Sequence, residues 1–470
     1  MKRTLLTLSL LMATGAYAEG GMITAGPLTS IDKLQSFNSV KNAPTPRRSI
    51  KIDNWQTSNG AKVLFVAAPE LPMVDVRVVF NAGSARDGDK FGVASLVSRM
   101  LDEGTPTRST DDISAAFENL GASFSASAYR DMFVVDLRVL SQDEFLQPAL
   151  DVFSDVIAHP VFPEEPFKRI FDGAQVGQQQ RQQSPSAQAS ILFYQNLYGS
   201  HPYAHPSNGT PETLKKITTD DLKTFHQQYL VAKNATIAIV GNLDKQQALA
   251  LSEKISSPLA SGEAAASLPS VKPLDKAVHK HLAFPSQQTH IMIGEANLRR
   301  DNPDYEALYV GNEILGGGGF GSILMEELRE KRGLTYGVYS GLSPMQVEGP
   351  FIINLSTRNE QTTQALELLR SNLRDFVRKG INEQQLKQAK DNILGSFPLS
   401  TSSNSNILAY LASMGFYNQP LDYLDSFNDR INKVTAKDVQ KAFQRYIHPD
   451  KMLTVTVGQG VTVQKNEKAK

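Results

Sequence analysis

Residues 217–230, ITTDDLKTFHQQYL, are followed by NATIAIVGN at 234–242. Residues 434–447, VTAKDVQKAFQRYI, are followed by KMLTVTVGQ at 451–459. The offset is 217 at Ile217/Val434, at Tyr229/Tyr446 and at Gly241/Gly458. Upstream, FVVDLRV from Phe133 matches FIINLST from Phe351 at an offset of 218, and each is followed by a helical stretch, Leu146–Ile157 in the first case and Thr363–Val377 in the second. Register kept over such separations marks an internal duplication. Its period is far longer than that of solenoid repeats, so the copies are domains rather than stacked units.

Within each copy the pattern runs strand, helix, strand, helices, strand. VDVRVVF from Val74 alternates as a half-buried strand should. ATIAIVG and MLTVTVG are β-rich and closed by glycine. Ser109-Thr110-Asp111-Asp112 ahead of Ile113, and Thr218 and Thr435 ahead of their helical runs, are cap signals. Strands and helices in this mixture predict an α+β fold with two homologous repeats, each a mostly antiparallel sheet with helices packed on it.

The 470 residues and 41% hydrophobic content suffice for more than one packed domain. The boundaries expected are a flexible leader at 19–50, a first domain at 51–255, a small, Pro-punctuated linker at 256–273, a second domain at 274–460 and a disordered tail at 461–470. Residues 1–18 read as a signal peptide, with Lys2 and Arg3 at the start, an apolar run from Leu5 to Ala13 and Ala16-Tyr17-Ala18 before the cut. The expected location is therefore secreted across the inner membrane, in the periplasm. That run is too short to span a bilayer, and no later stretch is long enough, so no membrane anchor is expected. Lys+Arg and Asp+Glu both number 48, which gives no field to steer the chain toward nucleic acid. The absence of Cys excludes disulfides.

Residues 81–105, NAGSARDGDKFGVASLVSRMLDEGT, contain one helical stripe of Val93, Leu96, Val97, Met100 and Leu101. Residues 315–340, LGGGGFGSILMEELREKRGLTYGVYS, carry a glycine run, a helix that Ser322 could cap and that passes Glu326 and Arg329 to Gly333, and Tyr336 on the strand after it. Read alone, Arg329 pairs with Glu326 and Tyr336 is an ordinary strand residue. The glycine run lacks the Lys-Ser/Thr of a phosphate loop, so a turn allowing close backbone approach is the better reading.

Both segments resemble the insulinase/pitrilysin-type zinc metallopeptidase family, whose mitochondrial processing peptidase-like members share this layout. The likeness covers residues 51–460 and implies the LuxS/processing-peptidase-like architecture. The family's His-x-x-Glu-His motif falls on Ser95, Ser98 and Arg99. Ser is a poor zinc ligand, a protonated guanidinium offers no lone pair, and the catalytic carboxylate is gone. The third ligand, a Glu on a later helix, falls near Val176 and Gly177, and Gln178–Gln183 holds no acid either. His201 and His205 in HPYAHP read as loop residues, and His279 and His281 as an edge-strand pair, so no metal or other cofactor is expected in this chain. The resemblance implies that Arg329 and Tyr336 grip substrate and donate to an oxyanion.

Retention of that pair without a zinc set implies a non-catalytic, substrate-binding subunit with no activity of its own, working on unfolded peptides beside a homologous zinc-bearing partner. The alternative is a scaffold or peptide-binding protein of the same fold with no proteolytic role.

Overall fold

Strand β1 (Asp53–Gln56) opens a six-stranded sheet ordered β1-β2-β6-β3-β5-β4, completed by β2 (Lys62–Ala67), β3 (Met73–Phe80), β4 (Ser123–Ala128), β5 (Phe133–Leu140) and β6 (Ala235–Gly241). A five-stranded sheet, ordered β7-β11-β8-β10-β9, holds β7 (Val278–Ala283), β8 (Gln288–Leu298), β9 (Val338–Leu342), β10 (Gly349–Arg358) and β11 (Leu453–Gly458). The computed structural model describes residues 49–459. The expected signal peptide, most of the expected leader and the expected tail lie outside the described residues.

The two sheets share a plan. In each, one parallel pair, β2 with β6 or β7 with β11, is followed by three antiparallel pairings in the same order, and the first sheet adds the antiparallel β1 on the other side of β2. The fold is thus mixed helix and sheet, with antiparallel pairing dominant. Local chemistry fixes the helix starts. Thr218 and Asp221 form a reciprocal capping box before helix Thr219–Tyr229, and Thr435 and Asp438 form its counterpart before Ala436–Tyr446. Those helices also begin and end 217 residues apart.

The sequence pattern misjudged β3. Asp75 and Val79, on the face expected to meet solvent, are buried along with Val74, Val76, Val78 and Phe80. The reason is a helix from far along the chain. Asn404–Phe416 lies on the outer face of β2, β3 and β6, and Leu408, Leu411 and Met414 close over Leu64, Val66, Val79 and Val240. Asp75 and Arg77 survive there as cross-strand ion pairs with Arg138 and Asp136, both at 2.6 Å.

The converse holds in the other half. Helix Pro185–Tyr198 packs on β8 and β11, with Phe193 fully buried among Leu453, Val455 and Val457. Gly294 on β8 makes room, because a Cβ there would lie 3.0 Å from the Phe193 ring tip. Residues 257–277, most of the expected linker, form neither helix nor strand, yet Leu268 and Val271 are buried in this same cluster. At the other end Ile50 is also buried, its N–H donating to Asp425 at 3.0 Å. From Ile50 onward the described chain is one compact unit.

Phe193→Ala should cost about 3–5 kcal/mol and Leu411→Ala about 2–5 kcal/mol. Each should lower the midpoint of a single thermal transition, because each anchor sits on one half and packs on the other. A variant that melts in two separated steps would show that the halves are not energetically joined.

Candidate functional site

Helix Val93–Met100 is started by Asp87 rather than by its own cap residue. The Asp87 carboxylate accepts N–H bonds from Gly92 at 2.7 Å and Ala94 at 2.9 Å, although burial still pushes its pKa up to about 7. Ser95 and Ser98 are buried, and the Ser98 hydroxyl donates back to the Ser95 carbonyl at 2.9 Å. Arg99 faces solvent. These three side chains therefore present one backbone-committed hydroxyl, one hydroxyl turned toward a neighbouring loop and one cation.

The neighbouring helix is Glu164–Gln182. Gly177 offers no donor atom, and the buried Gln178 side chain donates to the carbonyls of Asn208 at 2.7 Å and Gly209 at 3.1 Å. The Asn208 amide lies between Ser95 Oγ, 2.9 Å away, and the Arg181 guanidinium, to which its oxygen is best turned. Arg99 lies near enough to Arg181 to disfavour its charge, and burial does so more strongly. Where a zinc site would need anionic and imidazole donors, the chain assembles two cations, an amide and a hydroxyl. These groups do not fit a divalent metal.

The histidines are engaged elsewhere. His201 Nδ1 accepts from the Tyr203 N–H at 3.0 Å, and its Nε2 sits 2.9 Å from the Pro269 carbonyl. His205 stacks on Phe91 with ring centroids 4.1 Å apart. His279 and His281 both contact Thr456 on the adjacent strand. Among the described residues, no three His, Cys, Asp or Glu side chains converge as metal ligands.

Arg329 and Tyr336 sit in the second half on a segment less regular than expected. The turns around the glycine run are π-helical, at Glu313–Gly317 and Met325–Glu330. Ser322 does not cap; its hydroxyl donates back to the Gly319 carbonyl at 2.7 Å. Gly316 passes so close to β9 that a Cβ would lie 2.6 Å from Ser340 Oγ. Tyr336 lies before β9 rather than on it, because the Thr335 hydroxyl bonds the Gly337 carbonyl and the Ser356 carbonyl on β10, both at 2.8 Å, and pins a turn there. With Leu334 and Thr335 buried, Tyr336 stands out at 85% exposure. Arg329 lies over the exposed Phe320 ring, 4.5 Å from its centroid, while Glu326 pairs with Lys331 at 2.8 Å. Among the described residues Arg329 has no ion pair, and no hydrogen bond joins it to Tyr336.

Residues 62–209 match the insulinase family, peptidase M16, and residues 216–393 match the peptidase M16 inactive domain. The chain belongs to the M16 family. A crystal structure titled peptidase M16 inactive domain, from Pseudomonas fluorescens, superposes with a TM-score of 0.85 at 43% identity, covering 88% of this chain and 99% of that one. A Helicobacter pylori protein described as a non-peptidase homolog is 26% identical over 388 residues, 82% of this chain and 89% of its own length. An uncharacterized zinc protease of Bacillus subtilis is 26% identical over 356 residues, 76% of this chain and 86% of its own length. The present chain is an M16 member, and the helix expected to carry the family's motif holds Ser95, Ser98 and Arg99.

Two residues of this M16 site escaped the motif alignment, Arg181 and Asn208. Neither stands at a motif position: Arg181 comes from the end of helix Glu164–Gln182, which packs on helix Val93–Met100, and Asn208 from the 205–209 loop folded against Ser95. No spacing in the sequence announces that contact.

Burial lowers the His205 pKa to about 4. A folded pKa below the unfolded value of 6.5 contributes stability that is present above pH 6.5 and lost as pH falls toward 4, by up to about 3 kcal/mol. His226 is shifted the same way, and Asp87 works in the opposite direction, but both are common to wild type and a His205 variant. His205→Phe should keep the stack on Phe91 and show a shallower fall in melting temperature between pH 6.5 and 4. Equal slopes would contradict the assignment.

Proposed function

We propose that this chain is the non-catalytic, substrate-binding subunit of a heteromeric M16 zinc metallopeptidase, exported to the periplasm. It would supply Arg329 and Tyr336 to a homologous zinc-bearing partner that cleaves unfolded peptides. The observation that carries this reading is a contrast. The motif helix has its hydroxyls turned inward and no donors for zinc, whereas Arg329 and Tyr336 are held at the surface by a pinned, irregular backbone with their polar groups uncommitted. Single-turn π segments of this kind recur at functional sites.

The chemistry follows from those groups. A tyrosine hydroxyl can donate to the oxyanion that forms on a scissile carbonyl, and an arginine fork can hold a neighbouring carbonyl in line. The partner's zinc would supply the activated water. For the peptide itself, β4 offers a sheet edge that is unpaired among the described residues. Ser125 and Ala126 of that edge border an open depression of about 580 Å³ shared with Ser98 and Arg99, so an extended chain could add as a further strand. The agreement of five strands in order and direction between the two sheets supports reading the architecture as two homologous repeats of the LuxS/processing-peptidase type.

The second reading, a scaffold or peptide-binding protein with no proteolytic role, is favoured by the description of the Helicobacter pylori relative as a non-peptidase homolog. One experiment separates the two. In a reconstituted pair with a zinc-bearing M16 homologue, Tyr336→Phe should lower turnover of an unstructured peptide by about 10²–10³ without disturbing the complex. Arg329→Ala should weaken both capture and turnover. Unchanged turnover in both variants, with the pair still copurifying, would leave the scaffold reading standing.

A further inference from the structure

The place of the lost metal centre is not simply filled in. Two cavities adjoin there and share Arg181 and Asn208. The larger, of about 220 Å³, is bordered by Arg130, Ser190, Tyr194 and Ser207 as well. The smaller, of about 30 Å³, reaches Ser95 and Arg99. Together they hold room for several waters or a small ligand group.

The charge around this space is one-sided. Among the described residues none of Arg99, Arg130 and Arg181 forms an ion pair. Arg130 commits only its Nε, to the Tyr203 carbonyl at 3.2 Å, and its guanidinium rests 3.6 Å from the centroid of the Tyr194 ring. Its Nη groups make no hydrogen bond among the described residues. The adjacent carboxylate, Asp131, is turned away and satisfied by Tyr203, Tyr417 and the Gln346 N–H. Burial disfavours the charged forms of both Arg130 and Arg181, so a bound anion would relieve both.

The geometry points to an oxyanion site here, taking a carboxylate or phosphate group at Arg181, with Arg130 and Ser207 on the side of the larger cavity and Arg99 and Ser95 on the side of the smaller one. Planar guanidinium forks match such groups two bonds at a time. An M16 scaffold that once gathered carboxylate and imidazole around a cation would then gather cations around an anion. This inference concerns the first half only and does not depend on the roles of Arg329 and Tyr336.

The test is titration calorimetry on the purified full chain in low-salt chloride buffer. The probes are inorganic phosphate, a short acetylated peptide with a free C-terminal carboxylate, and the same peptide amidated. Saturable binding of phosphate or of the acid peptide is expected, weakened about tenfold or more by Arg181→Gln and reduced at higher salt. The responding probe names the source: a preference for the acid over the amidated peptide marks a chain terminus, and phosphate binding without that preference marks a phosphate group. Arg99→Gln changes an exposed side chain, so it keeps the test decisive if Arg181→Gln folds poorly; it too should weaken binding. Absence of binding by either anion, or wild-type affinity in both variants, would overturn the inference.

Discussion

A sheet has two faces, and neither half of this chain covers both of its own. Helix Asn404–Phe416, from the second half, seals the outer face of the first sheet, and helix Pro185–Tyr198, from the first half, seals the second. Nearly every other feature depends on that reciprocal coverage. It buries Phe193 and Leu411 completely and removes the amphipathic signature of β3. A polar contact reinforces it. Asp131, at the β4–β5 turn, accepts from Tyr203 in its own half and from Tyr417 at 3.2 Å and the Gln346 N–H at 2.9 Å in the other. Loss of that carboxylate would leave several buried donors unpaired, each costing about 1–3 kcal/mol.

This coupling bears on function because it fixes where the two informative surfaces can lie. The motif helix is seated on the first half through Asp87 and the 205–209 loop, and the Arg329–Tyr336 segment is seated on the second through Thr335 and Gly316. The cationic groups near Ser95 are compatible with folding because Asn208 and Gln178 supply the hydrogen bonds that ligands and their supporting residues would otherwise make. An M16 chain can thus keep its architecture with Arg99 where the family resemblance expects a ligand.

Much of this was legible in the sequence because it rests on local rules. The Thr218 and Thr435 caps, the glycine-closed strands and the mixed helix-and-sheet class follow from side chains acting on their own backbone. The reading of Ser95, Ser98 and Arg99 as an empty motif rests on the same kind of local rule, because metal binding demands residue types that can be checked one by one. What stayed hidden depends on contacts between distant segments. Helix Asn404–Phe416 bears no mark saying which sheet it covers, so the strict alternation from Val74 predicted a solvent face that does not exist. Tyr336 was expected on a strand, but the Thr335 hydroxyl bonds to Gly337 and Ser356 hold it in a turn. Arg181 and Asn208 became site residues only through long-range packing, of helix Glu164–Gln182 and of the 205–209 loop, against helix Val93–Met100.

The central claim is that this M16 chain carries the family's fold without its own catalytic centre. Its most direct test is to incubate the purified chain alone with added zinc and an unstructured peptide, and to follow the peptide by mass spectrometry. The account predicts that the peptide stays intact at every zinc concentration, for want of ligands and of a general base at Ser95, Ser98 and Arg99. Chelator-sensitive cleavage that tracks bound zinc in the isolated chain would contradict it.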